Sequence, residues 1–228
     1  MGGQGVLLKL GLDTYEGMEI RNPGSLKLAQ SGNPERFGWG VARSFMNWNT
    51  RETFQRGLAY AKRWADFEAG KGPKPEKELE WEIFRSLAKG EAQVSTHTQI
   101  YQVVLETISM VKQELKLDVF IDHGTFDAYK LAPLAQKEGV AAILGPREIA
   151  RTYPYFMDTG GRIQGVAAGY QEGGHTQIGF NTDCIDDGGI NLTPPQEELS
   201  LQAAMAVRYG FQDDKMLGLR RRGAPARD

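Results

Sequence analysis

The chain has 228 residues, of which 40% are hydrophobic and 25% charged. That length is enough to bury a core and is near the size of one large domain. The 27 Lys and Arg residues almost balance the 29 Asp and Glu residues, so the net charge is −2. A charge this close to zero gives no electrostatic reason to expect a nucleic acid partner. No apolar run approaches the ~18 residues of a membrane span, so we expect no membrane partner either.

Cysteine content and the N-terminus both bear on the compartment. The single cysteine, Cys184, cannot form an internal disulfide. The N-terminus lacks the basic start and the longer apolar region of a signal peptide. Both features fit a reducing compartment, and we expect a cytoplasmic protein.

The first ninety residues predict two short strands and two helices. Val6 to Leu10 is strand-like, residues 11–25 are loop-like, and Leu26 to Gln30 is a second brief strand. Thr50 is a fair N-cap and is expected to open a helix. A second helix follows the Gly- and Pro-rich stretch 70–75, and its expected buried face consists of Leu79, Ile83, Phe84 and Leu87.

From residue 91 onward, strands and helices alternate four times. The predicted strands are Gln93–His97, Leu117–Asp122, Val140–Leu144 and Thr176–Phe180. The predicted helices are Ile100–Leu115, Asp127–Gln136, Arg162–Gln171 and Gln196–Tyr209, the last capped by Gly210. This alternation indicates βα units on a parallel sheet, either a (β/α)8 barrel or a doubly wound sheet. No Gly-x-Gly-x-x-Gly or Walker loop follows a strand, which argues against nucleotide binding.

Two of the three histidines and one aspartate each end a predicted strand. They are His97, His123 and Asp183. In a parallel α/β fold the carboxyl ends of the strands face one side, where active sites lie. Two imidazoles and a carboxylate there are suitable ligands for Zn²⁺, Fe²⁺ or Mn²⁺. The third histidine, His175, precedes a strand, and we expect a structural or solvent role for it.

Several local sequences together resemble a known family. They are Ser95-Thr96-His97, Ile121-Asp122-His123-Gly124-Thr125, Leu144-Gly145-Pro146 and Gly179-Phe180-Asn181-Thr182-Asp183, followed by Pro195-Gln196-Glu197-Glu198-Leu199. This combination resembles the amidohydrolase superfamily, and within it the imidazolonepropionase-like metal-dependent hydrolases. The similarity runs from residue 1 to about residue 212.

The resemblance implies a fold and a ligand set. The family folds as a distorted (β/α)8 barrel, of which this chain would supply about strands three to eight with their helices. His97 would bind metal at the end of the fifth strand and His123 at the end of the sixth. Asp183 would end the eighth strand, bind metal and act as general base. Lys27 lies near the position of the carboxylated lysine that bridges two ions in some members, although an ordinary surface lysine is an equal alternative.

The implied activity is metal-dependent hydrolysis of a C–N bond in a small-molecule substrate. A divalent ion, Zn²⁺ in preference to Fe²⁺ or Mn²⁺ and present as one or two ions, lowers the pKa of bound water toward ~7. Asp183 would accept the water proton and return it to the leaving nitrogen. In a one-metal site His123 could instead stabilise the oxyanion. Arg147 is a candidate clamp for a substrate carboxylate.

The chain also departs from the family. It has no His-x-His pair, which normally completes the metal site from the first strand. We expect a partial barrel over residues 1–212 and a basic, disordered tail over 213–228, truncated at both ends relative to the family. Missing strands would expose sheet edges and favour self-association. The alternative to an enzyme is therefore a non-catalytic α/β fragment that associates with itself or with a partner.

Overall fold

The computed structural model describes residues 2–30, 43–146, 149–150, 164–183 and 195–212. Two predictions lie outside these described residues, namely the substrate clamp Arg147 and the disordered tail 213–228. Among the described residues, no helix combines the length and the apolar character needed to cross a membrane.

Helices and strands alternate along most of the described chain. The strands are β1 (Gln4–Leu8), β2 (Glu19–Ala29), β3 (Gln93–Thr98), β4 (Val119–His123), β5 (Ala142–Leu144), β6 (Ile149–Ala150), β7 (Gln164–Gly165) and β8 (Ile178–Phe180). The α-helices are α1 (Tyr15–Met18), α2 (Arg43–Glu68), α3 (Glu82–Ala88), α4 (Tyr101–Glu106), α5 (Ala132–Glu138), α6 (Val166–Glu172) and α7 (Pro195–Arg208). A π-helix (Thr107–Glu114) continues α4, and a 3-10 helix (Ala128–Leu131) precedes α5.

Six of the described strands form one sheet in the order β1-β2-β3-β4-β5-β8. β1 pairs antiparallel with β2, whereas β2 with β3 and β5 with β8 are parallel pairs. β6 and β7 form a separate antiparallel pair. The predicted α/β class is thereby confirmed, and the sheet is consistent with part of a TIM-type barrel. The chain clusters into two compact units, Met1–Thr98 with Gln102–Ile121 and Gln99–Tyr101 with Asp122–Asp228.

In the first unit, aromatic side chains pack α2 against α3. Phe54 and Phe84 are both fully buried, and their rings meet edge to face at 5.3 Å between centroids. Gly57, one turn after Phe54, lies directly against the Phe84 ring and leaves it room. Leu26 and Leu28 of β2 are also buried and belong to the same core. The crossing of the two helices therefore depends on a residue without a side chain at position 57.

Three expectations about the N-terminal half are wrong in detail. Residues 11–25 are not simply a loop, because they contain α1 and the first part of β2. The helix expected to open at Thr50 begins at Arg43, and Thr50 is buried in its middle. Leu79 is 75% exposed and precedes α3, whereas Ile83, Phe84 and Leu87 form the buried face as predicted. A capping residue is a local signal, and packing of Met46 and Thr50 in the core overrides it.

In the second unit, glycines follow the last residues of two helices. Gly139 closes α5 with a left-handed backbone, and its N–H donates to Gln136 O at 3.2 Å. Gly210, predicted as a cap, follows α7 with φ +107 and donates to Val207 O at 3.1 Å. Only glycine adopts such angles without strain, so these boundaries are set by the sequence.

Candidate active site

In the first unit, Lys27 and His97 lie on one face of the sheet. The parallel register of β2 and β3 places Lys27 opposite Ser95 and Ala29 opposite His97. Side chains two residues apart on a strand point to the same face, so Lys27 and His97 share a face with their Cα atoms about 8 Å apart. Leu26 and Leu28 point to the other face and are buried there. His97 is 9% exposed, and Lys27 is half-buried.

His123, in the second unit, has a fixed ring orientation. It ends β4 and is 3% exposed. Its Nδ1 lies 2.9 Å from the carbonyl oxygen of Gly145. A carbonyl oxygen can only accept a hydrogen bond, so Nδ1 carries a proton, and the tautomer of this ring that could bind a metal has its lone pair on Nε2. Metal-binding histidines are commonly oriented in this way, with one ring nitrogen bonded to a backbone carbonyl.

Asn181 connects the ends of three strands beside His123. Its Nδ2 donates to Asp122 Oδ1 at 2.8 Å and to Ile143 O at 3.1 Å, and its N–H donates to Leu144 O at 2.7 Å. Gly145 lies so close to Asn181 O that a Cβ at position 145 would overlap that oxygen. These contacts hold the carboxyl ends of β4, β5 and β8 together within the second unit.

Two of the predicted site residues have an unusual backbone. His123 has φ +79 and Asp183 has φ +48, and the other described non-glycine residues with positive φ are Lys116 and Phe126. Positive φ strains a residue with a side chain and persists only where the surroundings enforce it. Such strain is common at active sites, although it does not identify one by itself. Asp183 is exposed at the end of the β8 segment.

No complete metal site is visible in the described part of the chain. Among the residues described, no group of three or more His, Cys, Asp or Glu side chains is arranged to hold a metal ion. His123 and Asp183 belong to the second unit, and His97 and Lys27 to the first. The roles of these four residues, and that of Arg147, stay predictions of the sequence resemblance.

His175 has a structural environment. It is 1% exposed, its Nε2 lies 2.8 Å from Val140 O, and its Nδ1 accepts the N–H of Gln177 at 3.2 Å. Both ring nitrogens are thus used by the backbone, in the neutral tautomer that carries its proton on Nε2. Burial lowers the pKa of His175, partly opposed by its bond to Val140. The structural role expected for this histidine agrees with these contacts.

Sequence reasoning missed the part played by Asn181. Asp122 Oδ1 accepts from Asn181 at 2.8 Å, and Asp127 Oδ1 accepts the N–H of Tyr101 at 3.0 Å. Asp127 therefore satisfies an otherwise unpaired amide at the start of α4. The signal for Asn181 was its position directly after a predicted strand, in the same place as the strand-ending histidines.

Comparisons with known proteins support the fold. No protein family matches the sequence, and no curated protein is similar enough to count as a relative. The chain is similar in structure to a solved structure titled as an amidohydrolase from Thermotoga maritima MSB8, with a TM-score of 0.72 and 22% sequence identity. The match covers 94% of this chain and 54% of that protein, so this chain spans about half of its length. The fold is amidohydrolase-like.

Proposed function

We propose that this chain carries part of the metal centre of an amidohydrolase-type hydrolase that attacks a C–N bond with metal-activated water. The observation that carries the proposal is the orientation of His123, whose Nδ1 is held by Gly145 O at the end of β4. The amidohydrolase-like fold supports the same reading. Parallel α/β folds place their chemistry at the carboxyl ends of strands, which is where both His123 and Asp183 lie.

The donor set of the second unit fits a borderline divalent ion such as Zn²⁺, with Fe²⁺ or Mn²⁺ as alternatives. His123 would bind through Nε2 and Asp183 through its carboxylate. The sequence resemblance adds His97 and Lys27 from the first unit. Zinc sites in enzymes usually have three protein ligands, so two residues alone make an incomplete set.

Each candidate residue of this chain would have a separate role in the reaction. When bound, the ion lowers the pKa of its water toward ~7 and supplies hydroxide at neutral pH. The Asp183 carboxylate accepts the proton of the attacking water and returns it to the leaving nitrogen. Its exposed position leaves it accessible to water and to a small substrate. The Gly145 carbonyl keeps the His123 ring in one tautomer throughout.

Metal binding by the full chain tests this proposal, with Co²⁺ as a spectroscopic substitute for Zn²⁺. We expect the d–d absorption of Co²⁺ to rise saturably with added chain. In His123→Asn the affinity for Co²⁺ should be at least tenfold weaker. Asparagine tolerates the left-handed backbone and can still donate to Gly145 O, but it lacks Nε2. Asp183→Asn should weaken binding similarly. The matched control is Asp118→Asn, since Asp118 is bonded to Lys112 at 2.9 Å in the first unit.

One observation favours a second candidate, a non-catalytic amidohydrolase-like chain. It is the absence of a three-ligand group among the described residues. This alternative predicts no specific Co²⁺ binding. The response to added Co²⁺ should then be the same in His123→Asn, Asp183→Asn and the unsubstituted chain. Metal-dependent hydrolysis of cyclic amides to the ring-opened amino carboxylates by the loaded chain, abolished in Asp183→Asn, would exclude it.

A further inference from the structure

The side chain of Asn181 connects two strands that are not neighbours in the sheet. The strand order places β5 between β4 and β8. Adjacent strands are ~4.8 Å apart, so β4 and β8 are separated by about 10 Å. The Asn181 amide, which directly follows β8, nevertheless reaches Asp122 on β4. A hydrogen-bonded side-chain bridge therefore spans the width of β5.

The orientation of the Asn181 amide follows from its partners. Its Nδ2 lies 2.8 Å from Asp122 Oδ1 and 3.1 Å from Ile143 O. A carbonyl oxygen and an ionised carboxylate only accept hydrogen bonds, so the NH2 group, and not Oδ1, must face these two atoms. One amide hydrogen is thereby bonded to β4 and the other to β5.

The two ends of this bridge lie beside the two candidate ligands of the second unit. Asp122 directly precedes His123, and Asn181 lies two residues before Asp183. His123 and Asp183 both have positive φ, which persists only where the surroundings enforce it. Donor atoms bound to one zinc ion are about 3–4 Å apart, much closer than β4 and β8. Both side chains must therefore be held at a defined separation across β5.

We propose that Asn181 is a positioning residue, which sets the separation and orientation of His123 and Asp183 by tying Asp122 to the end of β8. The inference rests on the proposed function for the role of those two residues as ligands, whereas the bridge itself does not depend on a metal. Without the Asn181 side chain, the backbone bond from Asn181 N–H to Leu144 O would still join β8 to β5, but the side-chain connection to β4 would be lost.

Exchange of the His123 ring proton with water, measured by NMR on the metal-free full chain, tests the proposal. The Nδ1–H of His123 donates to Gly145 O, so we expect slow exchange. In Asn181→Ala the exchange should be at least tenfold faster, because residue 122 is no longer held and the ring can leave Gly145. If Asn181→Ala fails to fold, Asn181→Leu has a similar branched shape and lacks both side-chain hydrogen bonds. Unchanged exchange in the folded variant would overturn the proposal.

Gln136→Ala is the matched control within the same unit. The Gln136 amide also makes two hydrogen bonds, accepting the N–H and the hydroxyl of Thr176 at 2.8 and 3.1 Å. The control should lower the urea midpoint about as much as Asn181→Ala does, and it should leave the exchange of the His123 ring proton unchanged. An equal acceleration in both variants would indicate general loosening of the unit and would reject a positioning role.

Co²⁺ titration separates this inference from the proposed function. If the unsubstituted chain binds Co²⁺, Asn181→Ala should bind it at least tenfold more weakly and with a changed d–d intensity, whereas Gln136→Ala should bind it normally. The same affinity and spectrum in Asn181→Ala would contradict the positioning role. If the unsubstituted chain binds no Co²⁺, the proposed function fails, and the exchange rates alone decide whether Asn181 positions the His123 ring.

Discussion

At the scale of single residues, position 145 requires glycine for two independent reasons. Its backbone has φ +125, which side chains with a Cβ rarely adopt, and a Cβ there would overlap the carbonyl oxygen of Asn181. The same residue holds the ring of His123 through its own carbonyl oxygen. Position 145 therefore couples the stability of the strand ends to the orientation of the candidate metal ligand.

We predict that Gly145→Ala lowers the free energy of unfolding by about 3 kcal/mol, from backbone strain and overpacking together. Gly179→Ala is the matched control, because a Cβ at position 179 meets only Ile143 at an ordinary 3.9 Å and its φ is not positive. The control should change stability by less than about 1 kcal/mol. Urea unfolding of both variants measures the difference, and equal stabilities would contradict the overlap with Asn181.

Two buried tyrosines differ in what their hydroxyls contact. Tyr170 is fully buried, and its hydroxyl has no hydrogen-bond partner. Burial first, and then the negative charge of Asp127, raise the pKa of Tyr170 well above its usual range, so the hydroxyl stays protonated. Tyr60 is equally buried, but its hydroxyl donates to Glu82 and accepts the N–H of Glu78 at 3.3 Å.

Removing these hydroxyls should have opposite effects. Tyr170→Phe deletes an unsatisfied group while keeping its shape, so we expect unchanged or higher stability, by up to about 1 kcal/mol. Tyr60→Phe deletes a hydroxyl that has two partners and should cost about 1–2 kcal/mol. Thermal and chemical unfolding of the two variants compare them directly. A clear loss of stability in Tyr170→Phe would mean that its hydroxyl is bonded in solution.

At the scale of elements, one glycine sets how closely two helices pack. The ring of Phe84, on α3, fills the space that a side chain at Gly57 of α2 would need. The ring cannot easily move, because Phe54 and Trp81 lie 5.3 and 5.7 Å from it between centroids. Helix propensity alone would favour alanine at position 57, by about 1 kcal/mol.

We predict that Gly57→Ala destabilises the chain by about 1–2 kcal/mol, since overpacking exceeds the gain in helix propensity. Gly72→Ala, in the linker between α2 and α3, has nothing within 4 Å of the added Cβ and should be nearly neutral. Urea unfolding followed by circular dichroism compares the stabilities of the Gly57→Ala and Gly72→Ala variants. A Gly57→Ala variant more stable than the unsubstituted chain would show that α2 and α3 can move apart without lowering the free energy of unfolding.

The sequence predicted which elements exist better than where they begin. Hydrophobic periodicity identified the strands that contain His97 and His123, and the helix that carries Val103 and Val104, because those side chains are buried by the fold. It did not anticipate that this helix continues as a π-helix over Thr107–Glu114. The i to i+5 pattern depends on packing around the helix and leaves no distinct mark in the spacing of apolar residues.

At the scale of the whole molecule, a buried neutral histidine links folding to pH. Burial lowers the pKa of His175 below its usual 6.5. Below pH 6.5 the unfolded chain therefore binds a proton at His175 before the folded chain does. The free energy of unfolding falls as the pH is lowered from about 6.5 toward the pKa of the folded chain. We expect unfolding free energies to decrease below about pH 6.5, and His175→Gln to show a weaker pH dependence there. Parallel pH dependences in the two proteins would contradict this linkage.

The edge of the sheet is a second property of the whole molecule. β1 lies first in the strand order, and exposed apolar side chains surround it, including Leu7, Leu10 and Ile20. Exposed edge strands of this kind can pair with other chains. Self-association through sheet edges stays a prediction.

The amino-acid sequence by itself determined the α/β class, the strand-ending positions of the candidate ligands and the glycines that end helices, because each follows from local periodicity or backbone freedom. Tertiary structure alone decided that Asn181 joins three strand ends, that Gly145 orients the His123 ring and that Gln30 is bonded to Thr107. These features depend on hydrogen bonds and steric contacts between residues 20 to 80 positions apart in the chain. Sequence spacing carries no signal for such pairs, since the geometry that makes them arises only when the strands assemble.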